Sequence, residues 1–424
     1  MVIMKRASKE IDINRRHSSA LTGNERHMKK LLMEILERLQ RQREEQIQVG
    51  NPAGLRRIWR MTRICMRKLI ACVTIPHYVI IEYGGERLRI NSESISDAMI
   101  AVTYRFKTRQ QLRDIFTHFQ IPQWFRFPSG GHKLHGEEVL LMALERCALG
   151  TRLIDMQQKY HVYHSTIGRA IHMFAGWMQN NWGYLLHDNI DFWVPYLAES
   201  CEAIKNKMDE HYDVQVDERF RIAQFIDCVI IPSSRTGGGP MTPGKFAERF
   251  PLLVQESFYN GWARVHGVKK QAIGMANGMA FDVTKGYSCR RNDMHVLGDS
   301  DMDSRLEEVT EFMCFGDSAY PHIARITSIN NLNEFEDINR ALNGCRISIE
   351  WMFRDITVFW KLVACKDILK LLDGFINCDN LLDLCFIFNN AYNCMNGNET
   401  SQWFGMKPPT IHVYTSQGMN KENV

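Results

Sequence analysis

A chain of 424 residues exceeds one typical domain, and 45% hydrophobic with 24% charged residues reads as globular rather than disordered or fibrous. No apolar run reaches bilayer-spanning length, since the longest, LIACVTIPHYVIIEY (69–83), is broken by Pro76 and His77, and no segment has the layout of a secretion signal. Twelve scattered cysteines without a C-x-x-C pair exclude a zinc ribbon or a disulfide framework and fit the reduced thiols of the cytosol or nucleus.

The net charge of +4 conceals an asymmetry. Residues 1–70 hold 17 Lys and Arg against 7 Asp and Glu, a balance of +10, while the other 354 residues hold 35 against 41, a balance of −6. A basic arm on an acidic body suits a polyanion such as nucleic acid, and it equally suits a solvated tail. Lys5-Arg6 and Arg15-Arg16 have the form of a split nuclear-import signal, so a nuclear location is expected, with the cytoplasm before import. Within this arm, 24–48 places Met28, Leu31, Leu32, Ile35, Leu36 and Leu39 on one face of a docking or short coiled-coil helix.

Residues 101–190 read as helical. TRQQLRDIFTHF opens on the capping residue Thr108, 121–131 reads as a loop, and 136–150, 151–162 and 164–179 are helices with minimal connectors. The last two resemble a helix-turn-helix, with Ser165 as N-cap and Thr166, Arg169 and His172 leading the second helix into a major groove. A helical bundle beside the next domain is the alternative.

From about 215 to 414 the texture turns to strands and then helices. RFRIAQFIDCVIIP (219–232) is a strand containing Asp227, and 264–278 with 279–288 forms a hairpin turned at Asn277-Gly278. Residues 290–309 read as a loop leading into a helix, EFMCFGDSAYP (311–321) is a strand ending on Asp317, and the remainder is helical. This order implies an α/β fold, a mixed sheet covered by helices with its site at the strand ends. Two strand-associated carboxylates would be costly to bury unpaired, so they point to a shared cation. Helix 339–363 adds Glu350, flanked by Arg346 and Arg354 at four-residue spacing. The three form either an ordinary intrahelical ion stack or one metal-binding carboxylate beside two phosphate-binding guanidiniums.

FIDCVIIPSSRTGGGP, FYNGWARVHGVKKQ, CRRNDMHVL, FGDSAYP and RISIEWMF occur in the order and rough spacing of PIF/Harbinger-type transposases, in the DDE endonuclease superfamily, and ETSQWFGMKPPTIHVY (399–414) resembles that family's closing segment. The resemblance implies a ribonuclease H-like catalytic domain over 215–414 with Asp227, Asp317 and Glu350 as the acidic triad and Asp293 as a further metal ligand. Cys228 stands where the family usually has glycine. Beside these acids, Lys269, Lys270, Arg290, Arg291 and His266 would clamp DNA phosphates, or serve as ordinary surface charge. An oxygen-only ligand set suits Mg²⁺ or Mn²⁺, and two such ions can activate water and stabilise a leaving oxygen. The implied function is cut-and-paste transposition at terminal inverted repeats, with a Myb-like accessory protein, homo-oligomeric assembly and no membrane partner. The alternative is a domesticated DNA-binding or nuclease protein that no longer transposes.

Overall fold

The computed structural model describes residues 41, 89–127, 133–187, 190–234, 258–328, 336–366, 368–369 and 375–416. The chain divides into two compact units, Met1–Glu82 and Tyr83–Val424, and every described residue but Arg41 lies in the second. The basic arm, nearly all of the expected helix at 24–48 and residues 235–257 lie outside the described residues.

A short 3-10 turn (Ser92–Ser94) leads into α1 (Asp97–Tyr104) and α2 (Arg109–His118). Thr108 caps α2 as expected, its hydroxyl accepting the Gln111 N–H at 3.3 Å. The segment expected as a loop at 121–131 contains β1 (Trp124–Arg126), which pairs antiparallel with β2 (Lys133–His135). Five helices follow: α3 (Gly136–Leu149), α4 (Leu153–Tyr160), α5 (His164–Trp182), α6 (Tyr184–His187) and α7 (Ile190–Tyr212). A three-residue turn joins α4 to α5, with His161 at φ 52 closing α4. Ser165 is not the cap of α5; the helix already begins at His164, behind Tyr163, which supplies no side-chain cap.

The sheet begins with β3 (Ile222–Pro232), whose β-branched and aromatic residues suit a buried central strand. Next come β4 (Tyr259–Asn260), β5 (Val265–Met275), β6 (Ala280–Val283) and β7 (Tyr287–Ser288). Residues 290–309 form two helices, not a loop with one: α8 (Asp293–Ser300) and α9 (Met302–Val309), separated by Asp301 at φ 50. Then come β8 (Met313–Gly316) and β9 (Ile326–Ser328). The order is β4-β5-β3-β8-β9, with β6 and β7 also paired to β5. β5 runs antiparallel to β3, whereas β8 and β9 continue the sheet in parallel. This is a mixed sheet flanked by helices.

The chain continues through α10 (Glu336–Phe359), α11 (Lys361–Ala364), α12 (Phe375–Asn396), α13 (Glu399–Phe404) and α14 (Ile411–Ser416). Leu342, Cys345, Ile349, Met352, Phe353 and Ile356 form the buried stripe of α10, which packs on β3 and β5. α7 also packs on β3, and α5 packs on α12, so the helical region and the sheet share one core. Where α7 crosses α10, a Cβ on Gly344 would stand 1.7 Å from the Tyr212 hydroxyl oxygen, so a larger residue there requires the Tyr212 side chain to move. Among the described residues no helix is long and apolar enough to cross a membrane.

The β5–β6 hairpin turns at Asn277-Gly278 as expected, with Gly278 at φ 73. A Cβ there would lie 2.1 Å from Asn398 Oδ1, and Asn398 both caps α13 and donates to the Asn277 carbonyl at 2.9 Å. Gly278→Ala is therefore expected to destabilise the protein by about 2–3 kcal/mol, combining left-handed strain with a disturbed cap. Denaturant unfolding of the two proteins measures it.

Candidate active site

The sheet register brings two of the acids together. Phe225 on β3 faces Phe315 on β8 across a parallel pair, so two residues further along each strand Asp227 and Asp317 become neighbours. Asp227 lies mid-strand with its Oδ1 accepting the Cys228 N–H at 2.7 Å. Asp317 follows the last residue of β8, and its Oδ1 accepts the Ala319 N–H at 2.9 Å in an Asx turn. Asp293 reaches the same place from the first position of α8, a helix capped by Asn292. Carboxylate oxygens of Asp227, Asp293 and Asp317 all lie within 4.8 Å of one another, and each residue is half-buried.

Glu350 is not part of that trio; it is one guanidinium away. Arg346 donates to Asp227 Oδ2 at 3.1 Å through Nη1 and to Glu350 Oε1 at 2.9 Å through Nη2. Its Nε is buried and finds no acceptor among the described residues. The Glu350 side chain is 52% exposed, more open to solvent than the Asp227 side chain at 18%. Arg354, expected to flank the same carboxylate, instead pairs with Glu399 and, at 3.4 Å, with Asp355.

The adjacent lysines separate, because neighbouring residues of a strand point to opposite faces. Lys269 is nearly buried and donates to Asp293 Oδ1 at 2.6 Å, so it belongs to the acidic site. Lys270 corrects the expectation of a phosphate clamp. It is completely buried on the other face, with its ammonium 2.7 Å from Asp379 and 2.6 Å from Asp383, where no backbone phosphate reaches it. Arg290 and Arg291 are exposed just before α8, and Arg291 pairs with Asp299. On α5, Arg169 and His172 are exposed and Thr166 is half-buried.

Two groups beside the acids carried no signal in the sequence reading. Tyr320 and Gln271 meet at 3.1 Å, and the Tyr320 hydroxyl lies 3.5 Å from Cys228 Sγ. The sole pointer to Tyr320 was its position three residues after Asp317, on the turn that the aspartate organises. Burial holds both the Tyr320 hydroxyl and the Cys228 thiol neutral, each pushed well above its ordinary range.

Burial also pushes the Asp227 carboxyl up to about 6. The negative charges of Asp317 and Asp293 add to the effect, while the Cys228 N–H and Arg346 oppose it. Four carboxylates face two cations here, Lys269 and Arg346, leaving a formal charge of −2 when all are ionised. An all-oxygen donor set with that deficit fits a divalent cation.

Comparison with known proteins agrees with this chemistry. Residues 246–390 match the family model of a DDE superfamily endonuclease. The matched span contains Asp293, Asp317 and Glu350, and β3 with Asp227 precedes it. No curated protein matches the chain, and no solved structure matches it.

Proposed function

We propose that the protein is a metal-dependent DNA endonuclease of the DDE type, acting as a cut-and-paste transposase of the PIF/Harbinger kind. The observation that carries this reading is the convergence of Asp227, Asp293 and Asp317 from a central strand, a helix start and the end of a parallel neighbour strand. An antiparallel β3–β5 pair continued by parallel β8 and β9 supports a ribonuclease H-like sheet. The family match over 246–390 supports nuclease chemistry.

In this reading Asp227, Asp317 and Glu350, with Asp293 as a further ligand, hold Mg²⁺ or Mn²⁺. Bound there, two such ions supply an activated water and a counter-charge for the leaving oxygen of a phosphodiester. The chain's own residues prepare the site. Lys269 fixes Asp293, Arg346 orients Asp227 and Glu350, and the buried Tyr320–Gln271 pair supports the floor. The protein binds terminal inverted repeats through α4 and α5, with Thr166 and Arg169 facing the DNA. Arg290, Arg346 and Arg354 contact its phosphates. It works in the nucleus as a homo-oligomer that pairs the two ends, with a Myb-like accessory protein.

The test is cleavage of duplex DNA carrying the element's ends. Cleavage is expected with Mg²⁺ or Mn²⁺, is expected to stop in EDTA, and is expected to fall at least 100-fold in Glu350→Ala, judged against the losses seen when a preorganised charge-stabilising group is removed. Cleavage that persists in EDTA sinks the metal mechanism, and full activity in Glu350→Ala removes that residue from it.

A further inference from the structure

Trp262 stands at 93% exposure, the highest of any large apolar side chain among the described residues. It occupies the turn between β4 and β5, and that turn is firmly built. Tyr259 pairs with His266 and Asn260 with Val265 across the ladder. Asn260 Oδ1 accepts the Ala263 N–H at 2.8 Å, while its Nδ2 donates to the Cys289 carbonyl at 2.7 Å. Arg264 closes the turn at φ 55. The tryptophan is thus presented on a rigid tip, with the Tyr259 ring against His266 at its base, 5.0 Å between centroids.

The surroundings of this tip are cationic. Arg264 and Arg290 are both exposed, and among the described residues neither has an acidic partner. Arg290 directly follows Cys289, the residue that Asn260 ties to the turn, and Asp293 of the acidic cluster lies three positions further on. Along β5, Lys269, the partner of Asp293, is four residues from Val265 at the base of the turn. At ~3.4 Å per residue that separation is about 14 Å, a span of a few nucleotides of one strand.

We propose that Trp262 is a base-stacking finger that holds an unpaired base of the DNA strand whose phosphodiester lies at Asp227, Asp293 and Asp317, with Arg264 and Arg290 on the neighbouring phosphates. The proposal rests on the nuclease reading for its substrate and adds the contact that selects an opened strand. An exposed aromatic ring with one arginine on its own turn and another on the segment tied to that turn suits a strand of bases and phosphates, because stacking needs a bare π-face and is indifferent to base identity. Bases inside an intact duplex have both faces covered by their neighbours, so the finger discriminates for unpaired DNA. Arg291 is already engaged by Asp299 and is left out of the contact.

The experiment measures binding of the full chain in EDTA to three labelled DNAs: a single strand, a duplex with a frayed end and a fully paired duplex. Trp262→Ala is expected to bind the first two about 10-fold or more weakly, the loss typical of one stacked base. Trp262→Phe, which keeps a ring, is expected to retain most of the affinity, and the paired duplex to bind all three proteins alike. Wild-type affinity of Trp262→Ala for the single strand overturns the finger, as does an equal loss on paired DNA. Tighter binding of an RNA strand of the same sequence than of the DNA strand overturns the assignment to DNA. Since binding is read without metal, absence of cleavage by the wild-type protein in the separate assay with Mg²⁺ or Mn²⁺ counts against the nuclease reading while leaving the finger to stand on its own result.

Discussion

Asp317→Ala is expected to reduce metal-dependent DNA cleavage roughly 1,000-fold, the upper end of the loss on removing one preorganised charge-stabilising group, while leaving the metal-free protein as stable as before. The two halves of this result have different origins. Asp317 follows a buried strand, yet its carboxylate is turned toward Asp227 and Asp293 within 4.8 Å, so removing it relieves like-charge repulsion. What the fold loses is one turn-stabilising bond to the Ala319 N–H, ordinarily worth about 1 kcal/mol. What the site loses is one of the three carboxylates gathered there, and Glu350, tied to Arg346, is not among the other two. Thermal unfolding with and without Mn²⁺ separates the two effects. A ligand at 100 times its dissociation constant stabilises the native state by about 2.7 kcal/mol. Mn²⁺ should therefore raise the melting temperature of the wild type and leave that of Asp317→Ala unchanged. A variant that still responds to Mn²⁺, or that cleaves at the wild-type rate, removes Asp317 from the metal site.

The elements that place the acids were open to sequence reading because strong local patterns mark them. β3 and β8 are apolar runs interrupted or ended by aspartate, and α10 carries its apolar stripe at helical spacing with Glu350 on the opposite side. Asp293 was recognisable only through family resemblance, since RRND reads locally as a loop; the cap at Asn292 that makes it a helix start is short and polar. The three-residue strands β1, β2 and β9 hold too few residues to show an alternation. The fate of Lys269 and Lys270 was hidden for another reason. Alternation says that the two diverge, but not which one faces inward, and the partners that decide it come from far along the chain. Asp293 lies 24 residues from Lys269, and Asp383 lies 113 from Lys270.

Those distant partners make Lys270 the most consequential side chain outside the site, and Lys270→Met is expected to destabilise the protein by about 3–5 kcal/mol near pH 8. Its ammonium is wholly buried, bonded to Asp379, Asp383 and, at 2.9 Å, the Thr284 carbonyl. Asp383 also meets His187 Nε2 at 2.9 Å. Burial by itself would raise the Asp383 carboxyl, but Lys270 and His187 outweigh it and hold the group below its usual range. Burial likewise works against a charged His187, yet Asp383 prevails and its pKa is raised. The stability contributed by protonated His187 is therefore complete below about pH 6.5 and is lost as pH rises through the raised value. In Lys270→Met the histidine is the remaining cation on Asp383, with Arg305 held nearby by Asp282 and the His187 carbonyl. The deficit should accordingly be smaller at pH 6 than at pH 8, where two buried carboxylates stand without their lysine. Denaturant unfolding at both values tests this, and Lys270→Met combined with Asp383→Asn should recover a substantial part of the loss by removing one orphaned charge. An unchanged stability in Lys270→Met would mean that the ammonium does not hold α12 to the sheet.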